Sequence, residues 1–255
     1  MCTLILNCPE KRNALNERLL VAIRHEMARL SRDDDIRTVV IRGAGEDAFC
    51  AGYDIGALTD KEGGEPRVPN GRPASFEAFE GAVQGIIHYP YPVIAMVNGY
   101  AFGGGCDLAV SCDIRVGSDD IQMGMTPARI GMIYAPEGLM RFIRTIGLPK
   151  TKEMFFTGRT YDAVAAKAMG LLDYRVPKPD LASFTYALAE EIAGNAPLSL
   201  KGIKRILNLI VRSERMAESD QQEAEAIVAR VIRSHDLKEG RTAFLERRSP
   251  CFTGR

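Results

Sequence analysis

The chain has no tryptophan and only three histidines, His25, His88 and His235, scattered along 255 residues. So dispersed a set argues against a histidine-rich metal centre, and no metal site is expected. Six cysteines (Cys2, Cys8, Cys50, Cys106, Cys112 and Cys251) show no C-x-x-C spacing, which argues against a zinc knuckle or a disulfide frame. They read as buried free thiols in a reducing compartment, here the cytoplasm. Excess charge is lacking too. With 33 basic and 33 acidic residues the net is +0, so bulk electrostatics predict attraction to neither nucleic acid nor membrane. No apolar run approaches membrane-spanning length, and the N-terminus carries no signal peptide. No G-x-S-x-G elbow, Walker loop, internal repeat or low-complexity tract is found.

What the chain does have is apolar material, 46% of its residues, enough to bury a substantial core in one large or two small domains. Met1 to Pro9 reads as a strand, and Leu19, Ile23, Met27 and Leu30 repeat at helical spacing within a helix from about Asn16 to Arg32. Thr38–Arg42 is a second strand. Residues 59–75, polar and rich in Gly and Pro, predict a loop of the length often found over sites. A helix over Phe76–Tyr89, a Pro90-Tyr91-Pro92 break, a strand at Val93–Val97, a buried helix and a strand at Asp113–Val116 follow. Strands alternating with helices predict βαβ connections. From Pro136 onward the pattern is helical except for a short strand at Asp173–Val176. Leu200, Ile203, Ile206, Leu207 and Ile210 give residues 198–212 an apolar stripe suited to a partner.

Three glycines, Gly103 to Gly105, join the Val93–Val97 strand to a helix that opens with Asp107 in its first turn. Glycine lets a ligand atom approach the main chain, and the first N–H groups of a helix have no internal acceptors. Such a turn can stabilise an oxyanion; equally, it can simply let a helix pack tightly on a sheet. A second small-residue bend, Phe49-Cys-Ala-Gly-Tyr-Asp-Ile55, also follows a strand. Between strand and bend, Gly43-Ala-Gly-Glu-Asp-Ala48 fits a dinucleotide fingerprint. However, Glu46 and Asp47 would face a pyrophosphate and no helix start follows.

Together FCAGYDI and NGYAFGGGCD resemble the crotonase superfamily, the enoyl-CoA hydratase/isomerase family. The resemblance extends in order through Asn7–Leu15 (NCPEKRNAL), Phe155–Thr160, Gly170–Pro177 and Glu239–Arg248, over nearly the whole chain. The family usually carries one further strand ahead of the first. The resemblance implies an α/β fold, the crotonase (ClpP-like) spiral of ββα units. A core domain over residues 1–195 would bind acyl-CoA, and a helical region over residues 196–255 would make trimers or hexamers. It also implies an oxyanion hole from the N–H groups of Tyr53 and Gly104, which would hold the enolate of a CoA thioester. Lys11 and Arg12 would meet the phosphates, and the backbone of Ala51, Asp54 and Ile55 would frame adenine and pantetheine. Ala14, Phe102, Pro127 and Tyr134 would lie at the substrate, and Phe244 would close the pocket, from a neighbouring subunit. No cofactor is permanently bound, coenzyme A being part of the substrate.

The catalytic carboxylates depart from the pattern. Asp107 stands where glutamate is usual. Pro127 replaces the second glutamate of the hydratases, and Ala135 the aspartate of the isomerase branch. Glu137 remains nearby as the partner acid, and Tyr134 as a hydroxyl. The leading expectation is hydration of an α,β-unsaturated acyl-CoA by Asp107 and Glu137. The rivals are an isomerase, a hydrolase, a decarboxylase, or a member that binds CoA thioesters or RNA without chemistry.

Overall fold

The computed structural model describes residues 1–54, 74–213 and 218–253. Ile55 and most of the polar 59–75 segment therefore lie outside the described residues. The main sheet runs β1–β2–β4–β6–β9, made of Cys2–Leu6, Val39–Gly43, Val93–Val97, Ile114–Ser118 and Tyr174–Val176. Every pairing in it is parallel. Both faces of a parallel sheet must be covered, which is why VVI and VIAMV are unbroken apolar runs. Alternate residues serve opposite layers. Val39, Ile41, Val93, Ala95 and Val97 face α1 (Glu17–Leu30) and α2 (Ala74–Ile87); Val40, Ile94 and Met96 face α6 (Leu181–Ala193). Thr38 Oγ1 ties α6 down by donating to the Ala189 carbonyl at 2.9 Å.

The sequence patterns omit a second sheet. Its strands β3 (Ala48–Cys50), β5 (Tyr100–Phe102), β7 (Gln122–Gly124) and β8 (Thr160–Asp162) pair in that order, the last antiparallel. Strands of three residues are too short to show a period. β8 also breaks the stretch after Pro136 that reads as helical up to the Asp173–Val176 strand. Each of the three parallel second-sheet strands follows a main-sheet strand and precedes a helix: β2–β3–α2, β4–β5–α3 (Gly104–Val110) and β6–β7–α4 (Pro136–Thr157), whereas β8 comes after α4. This is the expected α/β spiral of ββα units. The Gly43–Ala48 segment leads into β3 and not into a helix, so it is no dinucleotide loop. Two buried asparagines hold it. Asn13 Nδ2 donates to the carbonyls of Ala44 and Ala48, and Asn98 accepts from Gly43 N–H at 2.9 Å.

After α5 (Ala163–Met169) and α6, helix α7 (Pro197–Ser213) is inverted relative to an ordinary surface helix. Leu200 of the expected stripe packs against the core, but the other inward contacts are polar. Lys204, 7% exposed, donates from Nζ to Asp113 Oδ2 at 2.6 Å and to the Tyr91 carbonyl at 3.0 Å. Asn208 Nδ2 donates to the Ile87 carbonyl at 2.9 Å. Its apolar stripe faces outward, with Ile203, Ile206, Leu207 and Ile210 between 56% and 58% exposed. Helices α8 (Glu218–Ile232) and α9 (His235–Leu245) complete the chain. The N-terminal half of α9 packs on the one-turn 3-10 helix Pro127–Ile130, and a methyl on Gly240 would stand 2.2 Å from the Ile130 carbonyl oxygen. Among the described residues no helix is long and apolar enough to cross a membrane. The cysteines are all free, but only Cys50, Cys106 and Cys112 are buried; Cys251 is exposed.

Candidate active site

The three-glycine turn is shaped by backbone demands. Gly103 takes φ 51° and ψ −121°, which a side chain would oppose, and donates its N–H to the Gly124 carbonyl at 2.9 Å. Gly104 opens α3, so its N–H has no acceptor within the helix. Gly105 lies against the neighbouring strand, where a methyl would stand 2.1 Å from the Cys50 carbonyl oxygen.

The second turn abuts the first. Gly52, at φ 97°, carries its α-carbon so close that a methyl would lie 2.7 Å from the Phe102 carbonyl oxygen and 3.5 Å from Gly104 N. Next to it, Tyr53 bridges Leu15 in parallel fashion. The bonds are Leu15 N–H to the Gly52 carbonyl at 2.7 Å and Asp54 N–H to the Leu15 carbonyl at 2.9 Å. In such a ladder the intervening Tyr53 N–H faces away from Leu15. The Tyr53 ring touches the Gly104 position and the Phe79 ring. The turns bearing Tyr53 and Gly104 are thus side by side.

The acid end holds a chain of charge. Asp107 is fully buried, and both its oxygens are taken. Arg141 donates from Nε to Oδ1 and from Nη2 to Oδ2, each at 2.8 Å, and Tyr134 Oη donates to Oδ2 at 2.7 Å. The third guanidinium nitrogen, Nη1, reaches both oxygens of Glu80 at 3.1 and 3.2 Å. Burial works to lower the Arg141 pKa, but the carboxylates of Asp107 and Glu80 outweigh it and hold the group above its usual range. Burial, joined by the Asp107 charge, lifts the Tyr134 phenol well above its usual range, so its proton stays on.

The first turn of α4 presses on this chain. A methyl on Gly138 would stand 2.3 Å from Tyr134 Cε1 and 3.3 Å from Asp107 Oδ2. Glu137 is the adjacent residue, with Oε2 shielded from solvent. Pro127 is buried at the start of its 3-10 turn, and Phe102 stacks on Tyr100. Neither Arg141, which the sequence offers only as a landmark for placing Pro127, nor Glu80 is predicted there as a site residue. Their contacts span 34 and 61 residues, and no local pattern marks them.

The residues predicted to meet coenzyme A form a ledge beside these turns. Lys11 pairs with Asp54 at 2.7 Å, and Ala51 N–H donates to the Arg12 carbonyl at 3.0 Å. The Arg12 guanidinium lies over the Tyr100 ring at 5.7 Å. Ala14 is buried between them in sequence, its N–H bound to the Lys11 carbonyl. Phe244 stands apart on α9, 54% exposed. Among the described residues no group of three or more His, Cys, Asp or Glu could hold a metal ion.

The family model for enoyl-CoA hydratase/isomerase matches residues 1–255. A probable enoyl-CoA hydratase of Mycobacterium tuberculosis is 33% identical over 254 residues, covering 98% of this chain and 93% of the relative. A methylmalonyl-CoA decarboxylase in complex with 2-nitronate-propionyl-CoA superposes with a TM-score of 0.89 at 29% identity, covering 99% of this chain and 95% of that one. An enoyl-CoA hydratase from Bacillus anthracis gives 0.77 at 28% identity, with coverage of 99% and 95%.

Proposed function

Because the chain belongs to the enoyl-CoA hydratase/isomerase family, with an acyl-CoA thioester as its premise, we propose that it decarboxylates a malonyl-type acyl-CoA. The observation that carries this reading is the state of Asp107. Hydration needs a carboxylate to hold and deprotonate water and an acid to protonate carbon. Here both oxygens of Asp107 already accept charge-assisted bonds, and Pro127 fills the second acid's place. What is left intact is the pair of turns suited to an enolate. Loss of carbon dioxide makes that enolate without any base. The bond between the α-carbon and the carboxylate breaks, and its electron pair moves onto the thioester oxygen, held by the N–H groups of Tyr53 and Gly104. Carbon dioxide leaves, and the α-carbon takes a proton from water. Tyr134, its own proton committed to Asp107, offers lone pairs to orient that water. The closer backbone match to the decarboxylase than to the hydratase supports the same choice.

In this reading Lys11, Arg12, Ala14, Ala51 and Asp54 carry coenzyme A, which arrives with the substrate, and no resident cofactor is needed. The free thiols suit a reducing compartment such as the cytoplasm. Residues 1–195 act as the binding core, and residues 196–255 join copies into trimers or hexamers through the outward stripe of α7, where Phe244 reaches a pocket. Hydration is the second reading. It is favoured by the position of Glu137 beside the Asp107–Tyr134 contact and by the names of curated relatives.

One assay separates them. Malonyl-CoA, its α-methyl homologue and crotonyl-CoA are incubated with the protein in heavy-oxygen water. Carbon dioxide release with formation of the saturated thioester is expected, and Tyr134→Phe should lower kcat by roughly 10²-fold. Oxygen label retained on an intact thioester, with no carbon dioxide, would replace this reading by hydration.

A further inference from the structure

Arg141 is an odd occupant for a site whose acid is meant to move protons. It reaches α3 from the second turn of α4, covers both oxygens of Asp107, and is itself braced from α2 by Glu80. All three are nearly dry: side-chain exposure is 0% for Asp107, 11% for Arg141 and 15% for Glu80. An arginine fork matched to a carboxylate fixes it in both position and charge. Arg141 and Tyr134 fill three of the roughly four lone-pair sites of this carboxylate, and the paired cation fixes its orientation and weakens it as a base.

We propose that Arg141, braced by Glu80, is a positioning residue that decides which reaction the enolate site performs, by keeping Asp107 from acting as a base on the substrate α-carbon. The inference deepens the decarboxylation reading and rests on its enolate site. With the clamp in place, Asp107 serves only to anchor Tyr134, and the enolate is reached by breaking the carbon–carboxylate bond. With the clamp gone, Asp107, in the first turn after Gly104, keeps only the Tyr134 bond on Oδ2 and presents Oδ1 without its cation beside the same site. The α-carbon–hydrogen bond of a saturated thioester can then break. Its proton passes to Asp107, its electron pair goes to the thioester oxygen, and a solvent-derived deuteron returns by the reverse path. Hydrogen is replaced by deuterium, and nothing is oxidised or reduced.

The test compares two rates in wild type, Arg141→Met and Glu80→Gln. They are carbon dioxide release from α-methylmalonyl-CoA and deuterium incorporation into propionyl-CoA in deuterium oxide, read by mass spectrometry. Arg141→Met should raise exchange by about tenfold or more, the scale of a lost charge-assisted hydrogen bond, while release falls. Glu80→Gln, which keeps the arginine and the side-chain shape, should move both rates the same way by less. Adding Asp107→Asn should abolish the gained exchange. A merely structural role for Arg141 would lower both rates and gain nothing. Exchange no faster than wild type in folded Glu80→Gln and Arg141→Met overturns the proposal, and Glu80→Gln alone decides if Arg141→Met does not fold. Gained exchange that survives Asp107→Asn overturns it as well. A wild type that releases no carbon dioxide, together with variants that gain exchange, removes the decarboxylation reading and leaves the clamp standing.

Discussion

Single atoms set the tolerances of the site. At Gly52 both the positive φ and the 2.7 Å approach to the Phe102 carbonyl exclude a side chain. Gly52→Ala should therefore push the Tyr53 and Gly104 turns apart, and kcat/KM should fall by roughly 10²-fold or more, the cost of one misplaced oxyanion donor. Steady-state kinetics on a variant with unchanged far-ultraviolet circular dichroism checks this. The buried thiols give a second handle. Burial raises Cys50 and Cys112 from the ordinary 9.0 to about 12. Their folded pKa lies above the unfolded one, so the stability they contribute is complete below pH 9.0 and is lost as pH climbs toward about 12. The denaturant midpoint should accordingly drop as pH rises from 9.0 toward about 12, and in the native protein an alkylating reagent should label exposed Cys251 well before Cys50, Cys106 or Cys112. At this scale the sequence was legible where chemistry is local, as in the glycines and Asp107. It was silent on Arg141 and Glu80, whose meaning exists only once α2, α3 and α4 converge.

The elements divide along the same line. Long apolar runs announced β2 and β4, and the spacing of Leu19, Ile23, Met27 and Leu30 announced α1, capped by Asn16 Oδ1 accepting from Leu19 N–H at 2.8 Å. The second sheet left no such trace, because three-residue strands are held by their neighbours and not by their own pattern. The apolar stripe of α7 was visible, but the polarity of its inner face was not, since Lys204 and Asn208 find partners 91 and 121 residues away. Those contacts fasten α7 to the core. Lys204→Met should lower stability by about 1–3 kcal/mol by leaving Asp113 without its cation. Urea denaturation followed by circular dichroism measures it, and an unchanged midpoint would mean that α7 is held some other way.

Over the whole molecule, the ββα spiral was legible through the ordered motifs, and the family match over the full chain agrees with them. The proposed trimer or hexamer belongs to the same scale. It should sediment as such in analytical ultracentrifugation, and Ile206→Glu with Ile210→Glu, placed on the outward face of α7, should convert it to monomers; a wild type that sediments as a monomer, or an assembly unaffected by both charges, would rule out that stripe as the contact. The proposed oxyanion donors of Tyr53 and Gly104 are main-chain amides. Every residue but proline supplies such an amide, so most single replacements leave it in place; proline or a change of backbone path removes it. The carboxylates, the phenol and the guanidinium above them are each one mutation from something else. On the proposed reading, a lineage carrying this scaffold can thus exchange its reagents while inheriting its anchor for the thioester.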